Sequence, residues 1–184
     1  MKSLFGRTGA ARFIRELLSP PSRGQTPTPE PYRTEGLTAR RKILIVDDDT
    51  VFLKALTLKL ESQGYVVATA LDGADALAAL RDENPDLVLL DIHFPPDIAH
   101  GGGVPWNGFL LMRWLRGIEK VGKVPILLIT GEDPGDYRDR ALACGAAGLF
   151  NKSQEPEVLI SMIERVLNGT ASPGEMGLGA TFQI

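Results

Sequence analysis

The stretch KILIVDDD, from Lys42 to Asp49, runs from a short aliphatic segment directly into three consecutive carboxylates. The aliphatic part is unbroken and rich in β-branched residues, which is typical of a strand that is covered on both faces. A helical pattern follows at once, because Phe52, Leu56 and Leu60 recur at a spacing of four residues. A buried strand that leads into an amphipathic helix is one βα unit, so this stretch predicts an α/β fold.

The same unit recurs along the chain. The predicted strands are Lys42–Val46, Val66–Ala70, Leu87–Leu90, Ile126–Thr130 and Leu149–Asn151. The predicted helices are Val51–Gln63, Ala74–Asp82, Phe109–Lys120, Pro134–Ala143 and Pro156–Leu167, with Gly64, Gly145 and Gly169 as stop signals. Five such units predict a doubly wound parallel sheet of the flavodoxin-like (βα)5 type, with the strand order 2-1-3-4-5.

Composition limits the class of protein. The chain is 43% hydrophobic and lacks an apolar run of about 18 residues, the length needed to cross a bilayer, so we expect a soluble protein without a transmembrane segment. Cys144 is the only cysteine, which excludes an intrachain disulfide and a cysteine-based zinc cluster. A reducing, cytoplasmic location suits this composition.

The charge is divided unevenly along the chain. Residues 1–41 carry eight Lys and Arg against three Glu, whereas the rest carries twelve against twenty Asp and Glu. We therefore predict a basic, Pro-rich extension over residues 1–40, a domain over residues 41–169 and a short tail over residues 170–184. Residues 19–36 read as an extended linker. Residues 10–18 permit a basic amphipathic helix that docks on a membrane or a partner, a transit-like presequence, or a frayed tail.

Polar side chains stand at the ends of predicted strands one, three, four and five: Asp47 and Asp48, then Asp91, Thr130 and Lys152. Ligands of open α/β sheets bind at the carboxyl ends of the strands, and these four strands are neighbours in the predicted order. Clustered carboxylates repel one another unless a cation neutralises them, and an all-oxygen set favours Mg²⁺ or Mn²⁺. A hydroxyl and an ammonium across such a site suit phosphate oxygens, so we expect phosphoryl-transfer chemistry. Taken alone, the three consecutive aspartates also fit an N-cap cluster of the following helix.

Four motifs in this order and spacing resemble the response-regulator receiver domain of two-component signalling: ILIVDDD, LVLLDIHFP, ILLITGE and GLFNKS. The resemblance covers about residues 41–169. It implies that Asp91 accepts a phosphoryl group from a phosphohistidine on a sensor histidine kinase or a histidine phosphotransfer protein. It also implies a self-modifying phosphoacceptor rather than a turnover enzyme.

The resemblance implies a ligand set for Mg²⁺ as well. Asp48 would bind the ion directly and Asp47 through water. Asp91 would contribute one carboxylate oxygen, and His93 its backbone carbonyl. Thr130 would hydrogen-bond the new phosphoryl group, and Lys152 would pair with another of its oxygens.

The resemblance implies that an inward movement of Thr130 reaches the surface around the fourth helix, the fifth strand and the fifth helix. The resemblance implies that a downstream protein docks on this face, with a second copy of the chain as another partner. Leu149 replaces the usual aromatic residue of the fifth strand, so a Tyr or Phe rotamer change cannot be the readout there. We expect no nucleic-acid binding, because the folded part is acidic and few residues follow Gly169.

The segment Pro95–Gly108, PPDIAHGGGVPWNG, is longer than the family usually has at this place. It is either a lid or recognition loop, or an inert surface insertion.

Two other functions stay open at this level. A haloacid-dehalogenase-type phosphatase would use Asp47 as its nucleophile, because Asp47–Val51 matches the D-x-D-x-[TV] motif, but Asp91 would then have no role. A receiver-like module that binds partners without phosphorylation is the second, and Leu149 keeps it open.

Overall fold

The computed structural model describes residues 40–93, 107–118, 122–171 and 176–177. Within them five strands alternate with five α-helices. The strands are β1 (Lys42–Val46), β2 (Val66–Ala70), β3 (Leu87–Asp91), β4 (Ile126–Thr130) and β5 (Gly148–Asn151). The helices are α1 (Thr50–Ser62), α2 (Gly73–Glu83), α3 (Gly108–Arg116), α4 (Arg138–Ala143) and α5 (Pro156–Leu167). All pairings are parallel and the order is β2-β1-β3-β4-β5, which confirms the predicted topology.

The sheet is buried on both faces. In β1, Leu44 and Val46 pack on the side of α2 and α3, whereas Ile43 and Ile45 pack on the side of α1 and α5. The other central strands, β3 and β4, alternate in the same way, and each of these side chains is almost fully buried. Burial of one such aliphatic side chain stabilises the fold by about 1.5–3 kcal/mol. The sheet is therefore a rigid middle layer that fixes the residues at its strand ends.

Side-chain caps begin three of the helices. Asp49 Oδ1 accepts hydrogen bonds from the N–H groups of Val51 and Phe52, at 2.9 and 3.0 Å. Asp72 and Asn107 cap α2 and α3 in the same manner. The N-cap interpretation of the three consecutive aspartates therefore holds for Asp49 alone. The side chains of Asp47 and Asp48 do not cap α1.

The predicted third helix is too long. It ends at Arg116 rather than Lys120, because the N–H of Gly117 turns back to the carbonyl of Trp114 in a tight last turn. The Arg116 guanidinium then donates to the carbonyls of Gly122, Val124 and Gly145. These acceptors, which lie outside the helix, hold the Arg116 side chain and so fix where α3 ends.

The predicted fourth helix is interrupted. Pro134–Asp136 forms one 3₁₀ turn, which Asp133 caps by accepting from the N–H of Gly135 at 2.8 Å. Tyr137 separates this turn from α4, with φ −115° and ψ −10°. The predicted start at Pro134 is confirmed, but the continuous helix is wrong, and the interruption brings the Tyr137 side chain to the edge of the candidate site.

Several predictions concern residues outside the described part of the chain. These are the amphipathic helix at 10–18, the linker at 19–36 and the loop from Pro95 to Trp106. The predicted stops at Gly64, Gly145 and Gly169 are confirmed, since each adopts a positive φ of +90°, +74° or +68°. No described helix is long and apolar enough to cross a membrane.

Candidate functional site

Four buried polar side chains meet the carboxyl edge of the sheet. Asp47 follows β1, Asp91 ends β3, Thr130 ends β4, and Lys152 follows β5. Their exposed fractions are 0%, 4%, 0% and 6%, and they are the complete set of buried polar or charged side chains in the described residues. Burying such groups away from water costs free energy, so their concentration at one edge indicates a site rather than a packing accident.

Lys152 joins the two buried carboxylates. Its Nζ lies 2.5 Å from Asp47 Oδ2 and 3.2 Å from Asp91 Oδ2. The backbone N–H of Lys152 donates to the carbonyl of Thr130 at 2.8 Å, which continues the ladder between β4 and β5 beyond the last strand residue. One buried ammonium therefore faces two buried carboxylates, so the three side chains carry one uncompensated negative charge when both carboxyls are ionised.

The pKa values follow from this imbalance. Burial, then the charge of Asp91, raises the pKa of Asp47 to about 7 against the opposing effect of Lys152. Burial also raises the pKa of Asp91, again against Lys152. Burial alone would lower the pKa of Lys152, but the charges of Asp91 and Asp47 outweigh it and raise the pKa instead. An added cation would stabilise the ionised carboxylates.

The residues present fit a hard divalent cation. Asp47, Asp48 and Asp91 each offer one carboxylate oxygen, and these oxygens lie within 4.8 Å of one another. Asp91 Oδ1 and Asp47 Oδ2 are buried and have no hydrogen-bond partner among the described residues, although Asp47 Oδ2 is ion-paired with Lys152. Asp48 is exposed, so the cluster is open to solvent on one side. An all-oxygen set of this kind suits Mg²⁺ or Mn²⁺.

Thr130 holds the turn that follows β4. Its Oγ1 accepts the N–H of Glu132 at 3.0 Å, and Asn151 Nδ2 donates to the carbonyl of Glu132 at 2.6 Å. In the β3–β4 register Asp91 pairs with Ile129, the residue before Thr130. The hydroxyl of Thr130 is thus buried at the end of β4, next to the end of β3 that carries Asp91, as the sequence predicted.

Residues 43–164 match the family model described as the response regulator receiver domain. The chain belongs to the response-regulator receiver family. Protein PilH of Pseudomonas aeruginosa is 34% identical over 128 residues, which cover 70% of this chain and 98% of PilH. The DNA-binding response regulator MtrA of Mycobacterium tuberculosis is 33% identical over 140 residues, which cover 76% of this chain but only 56% of MtrA.

Solved structures agree with this assignment. The Vibrio cholerae chemotaxis protein CheY4 superposes with a TM-score of 0.61 at 30% identity, over 70% of this chain and 99% of CheY4. The beryllofluoride-activated receiver domain of Klebsiella pneumoniae RstA gives a TM-score of 0.60 at 30% identity, over 69% of this chain and 98% of the RstA domain. Membership of the receiver family leaves the dehalogenase-type phosphatase without support.

The receiver site includes a tyrosine that the sequence analysis missed. The Tyr137 hydroxyl donates to a carboxylate oxygen of Glu132 and lies 3.3 Å from His93 Nε2. The rings of His93 and Tyr137 also meet edge to face, with centroids 5.4 Å apart. Burial, together with the hydrogen bond and charge of Glu132, raises the pKa of Tyr137 to about 12. The continuous helix predicted over this region concealed the residue, and no other sequence signal pointed to it.

The receiver site also requires a glycine at the start of α3. A Cβ added at Gly108 would overlap the backbone carbonyl oxygen of Asp91 and would lie 2.9 Å from Ile92 Cα. The N–H of Gly108 donates to the carbonyl of Ile92 at 3.0 Å. The first residue of α3 thus rests directly on the backbone that carries Asp91.

Proposed function

We propose that this receiver domain accepts a phosphoryl group on Asp91 in a Mg²⁺-dependent reaction and that the modification changes partner binding. One observation carries the proposal. Asp91 is buried at a strand end, beside a lysine and two further carboxylates, and its Oδ1 has no hydrogen-bond partner among the described residues. A buried carboxylate oxygen without a hydrogen-bond partner is costly for stability, which supports a role for Asp91 in chemistry rather than in packing.

In the proposed reaction a carboxylate oxygen of Asp91 attacks the phosphorus of a phosphohistidine. The O–P bond forms, the P–N bond breaks, and its electron pair leaves on the imidazole nitrogen, which takes up a proton. The Thr130 hydroxyl donates a hydrogen bond to one phosphoryl oxygen, and Lys152 forms an ion pair with another. Fixed partners of this kind stabilise the charge that spreads over the phosphoryl oxygens. The product is an acyl phosphate on the protein itself, so the domain acts as a phosphoacceptor and not as a turnover enzyme.

The proposed metal ligands are the three clustered aspartates and one backbone group. Asp48 would bind Mg²⁺ or Mn²⁺ directly, Asp47 through water, Asp91 through one oxygen and His93 through its carbonyl. When bound, the ion supplies positive charge to the phosphoryl oxygens during transfer. The spacing of the carboxylate oxygens and the surplus negative charge of the buried group support this assignment.

The proposed donor is a sensor histidine kinase or a histidine phosphotransfer protein. The proposed output is a downstream protein, or a second copy of the chain, that docks on the face formed by α4, β5 and α5. Family membership supports both roles. We also propose that the receiver domain extends over residues 41–169, with residues 1–40 as a separate basic extension and residues 170–184 as a short tail.

Thr130 and Leu149 are the proposed switch positions. Leu149 is 3% exposed and packs in the core on the side of α2 and α3, where its short aliphatic side chain cannot make the inward turn of an aromatic ring. We therefore assign the first movement to Thr130 and the turn that it holds through Glu132. The same Leu149 favours the second candidate function, a receiver module that binds partners without phosphorylation.

The test incubates the full chain with Mg²⁺ and acetyl phosphate and locates the modified residue by mass spectrometry after trapping the acyl phosphate. We expect modification at Asp91, its loss when Mg²⁺ is chelated, and its loss in Asp91→Asn. The control is Asp82→Asn, an exposed aspartate on α2 that should be modified like the unaltered chain. Modification at Asp47, with Asp91→Asn still reactive, would overturn the proposal. Modification at Asp91 that leaves the affinity for a target unchanged would favour the phosphorylation-independent module.

A further inference from the structure

Residues Met176 and Gly177, beyond the end of α5, pack against β5. The Met176 side chain is completely buried and belongs to the same core cluster as Leu127, Phe150 and Met162. Its backbone is equally close, since a Cβ added at Gly148 would lie 3.1 Å from the carbonyl oxygen of Met176. The chain therefore returns to the sheet after α5 and inserts one apolar side chain beside the start of β5.

Gly177 fits this place through its backbone. It adopts a positive φ of +72°, and a Cβ added there would overlap the carbonyl oxygen of Leu149. Arg138, the first residue of α4, donates from Nε to the carbonyl of Gly177 at 3.2 Å. The Met176–Gly177 segment is thus held by β5, by α4 and, through Met162 in its core cluster, by α5.

This position is the open edge of the sheet. β5 pairs with β4 on one side and is the last strand of the sheet, so its other side has no strand neighbour among the described residues. Open strand edges bind other chains readily, and proteins commonly cover them. Here a segment of the same chain covers the edge between the two helices that flank it.

We propose that the Met176–Gly177 segment is a tethered ligand of the face formed by α4, β5 and α5, and that an external partner binds this face only after the segment leaves. The consequence for a partner rests on the proposed function, whereas the seating of the segment does not. The chemistry of the face follows from its occupant: it takes a peptide turn with an unbranched apolar side chain, followed by a residue without a Cβ.

Only residues 168–175 separate the segment from the end of α5. Short linkers give a local concentration on the order of millimolar, so a segment with weak intrinsic affinity still covers the face most of the time. The same peptide added from solution must compete with it. For an intrinsic Kd on the order of 100 μM or below, this competition weakens the apparent affinity about ten-fold or more.

The test uses full-length chains without Mg²⁺ or phosphate, and a fluorescent peptide of residues 171–184 as the probe. In Gly177→Val the segment cannot seat, because the Cβ overlaps the Leu149 carbonyl. We expect this variant to bind the peptide at least ten-fold more tightly than the unaltered chain. Gly169→Val is the matched control, since Gly169 also has a positive φ, +68°, but its Cβ would meet nothing within 4 Å. It should bind the peptide as weakly as the unaltered chain.

Met176→Asp provides a second route, because a buried charge replaces the apolar anchor. It should also open the face to the peptide, and a peptide with the same substitution should not bind. Equal peptide binding by Gly177→Val and Gly169→Val would overturn the proposal, as would no binding by either opened variant while circular dichroism shows both to be folded. Peroxide oxidation of Met176 in the unaltered chain covers the case in which the two variants do not fold. The Met176 thioether is completely buried, so it should be oxidised under conditions in which the chain stays folded only if the segment leaves the face. Oxidation that occurs only with global unfolding would refute displacement. A failure of Asp91 to accept phosphate would change none of these results.

Discussion

Replacing Lys152 by methionine isolates the charge balance of the buried site. Methionine keeps most of the apolar stem but removes the ammonium that lies 2.5 Å from Asp47 and 3.2 Å from Asp91. Only 6% of Lys152 is exposed, so water cannot take the place of the lost charge. The variant leaves two buried carboxylates without a cation.

Removing one partner of a buried ion pair costs about 3–5 kcal/mol of unfolding free energy. We expect Lys152→Met to lose this amount at pH 8, above the pKa of about 7 that Asp47 has in the unaltered site. The loss should be smaller at pH 5, because the folded-state pKa values of Asp47 and Asp91 are raised and rise further without Lys152. A carboxyl with a raised folded-state pKa favours the folded chain at low pH, and this contribution disappears as the pH passes that pKa.

Urea unfolding followed by circular dichroism measures both losses in metal-free buffer. The control is Lys54→Met, which makes the same exchange at an exposed position of α1 and should change the free energy of unfolding little at either pH. Adding Asp47→Asn to Lys152→Met should recover part of the loss at pH 8, since it removes one of the stranded charges. A loss of equal size at pH 5 and pH 8, with no recovery in the double variant, would show that packing and not charge stabilises this site.

Three further changes test the site from other directions. In the unaltered, metal-free chain, the pKa of Asp47 is about 7 when folded against 3.8 ordinarily, so the thermal unfolding temperature should decrease as the pH rises from 5 to 8. Saturating Mg²⁺ should remove this decrease. An unfolding temperature that does not change with pH in metal-free buffer would contradict the raised pKa. In Gly108→Ala the free energy of unfolding, measured with denaturant, should fall by about 1–3 kcal/mol and phosphorylation of Asp91 should slow, because the new Cβ overlaps the Asp91 carbonyl. Gly117→Ala is the control, since its Cβ would lie 3.3 Å from its nearest neighbour. Equal effects of the two substitutions would refute the close packing at Gly108. Asp49→Ala should cost about 1 kcal/mol of stability through the lost cap of α1 but leave phosphorylation intact. Asp48→Ala should abolish phosphorylation. Loss of phosphorylation in both variants would show that the helix cap and the proposed metal site are not separate.

The central part of the fold follows from local pattern. β1, β2 and β4 have the predicted bounds, and β3 and β5 are each one residue longer than predicted. The aliphatic runs of β1, β3 and β5 are short and bounded by polar or glycine residues, so little freedom remains in placing them. The strand order then decides which strand ends are neighbours, which is why the meeting of Asp47, Asp91 and Lys152 follows from sequence alone.

The features that escaped prediction depend on distant partners. The end of α3 is fixed by Arg116, whose acceptors include the carbonyl of Gly145 on another part of the chain. Tyr137 reaches Glu132 and His93 only because the 3₁₀ turn and α4 are separate elements. No periodicity marks either contact. Burial of Met176 is a third case, because its place in the core depends on residues far back along the chain, such as Leu127 and Phe150.

Stability and function oppose each other at the buried site. Lys152 lies 2.5 Å from Asp47 Oδ2 and 3.2 Å from Asp91 Oδ2, so its ammonium is shared between the proposed phosphoacceptor and a second carboxylate. The proposed reaction needs Lys152 at a phosphoryl oxygen, and it can move there at low cost only when another positive charge compensates Asp47. The third carboxylate, Asp48, is exposed and adds the negative charge that attracts such a cation from solvent. The surplus charge that lowers the stability of the metal-free fold would therefore also attract the proposed divalent ion, and a variant that removes the surplus should gain stability and lose phosphorylation together.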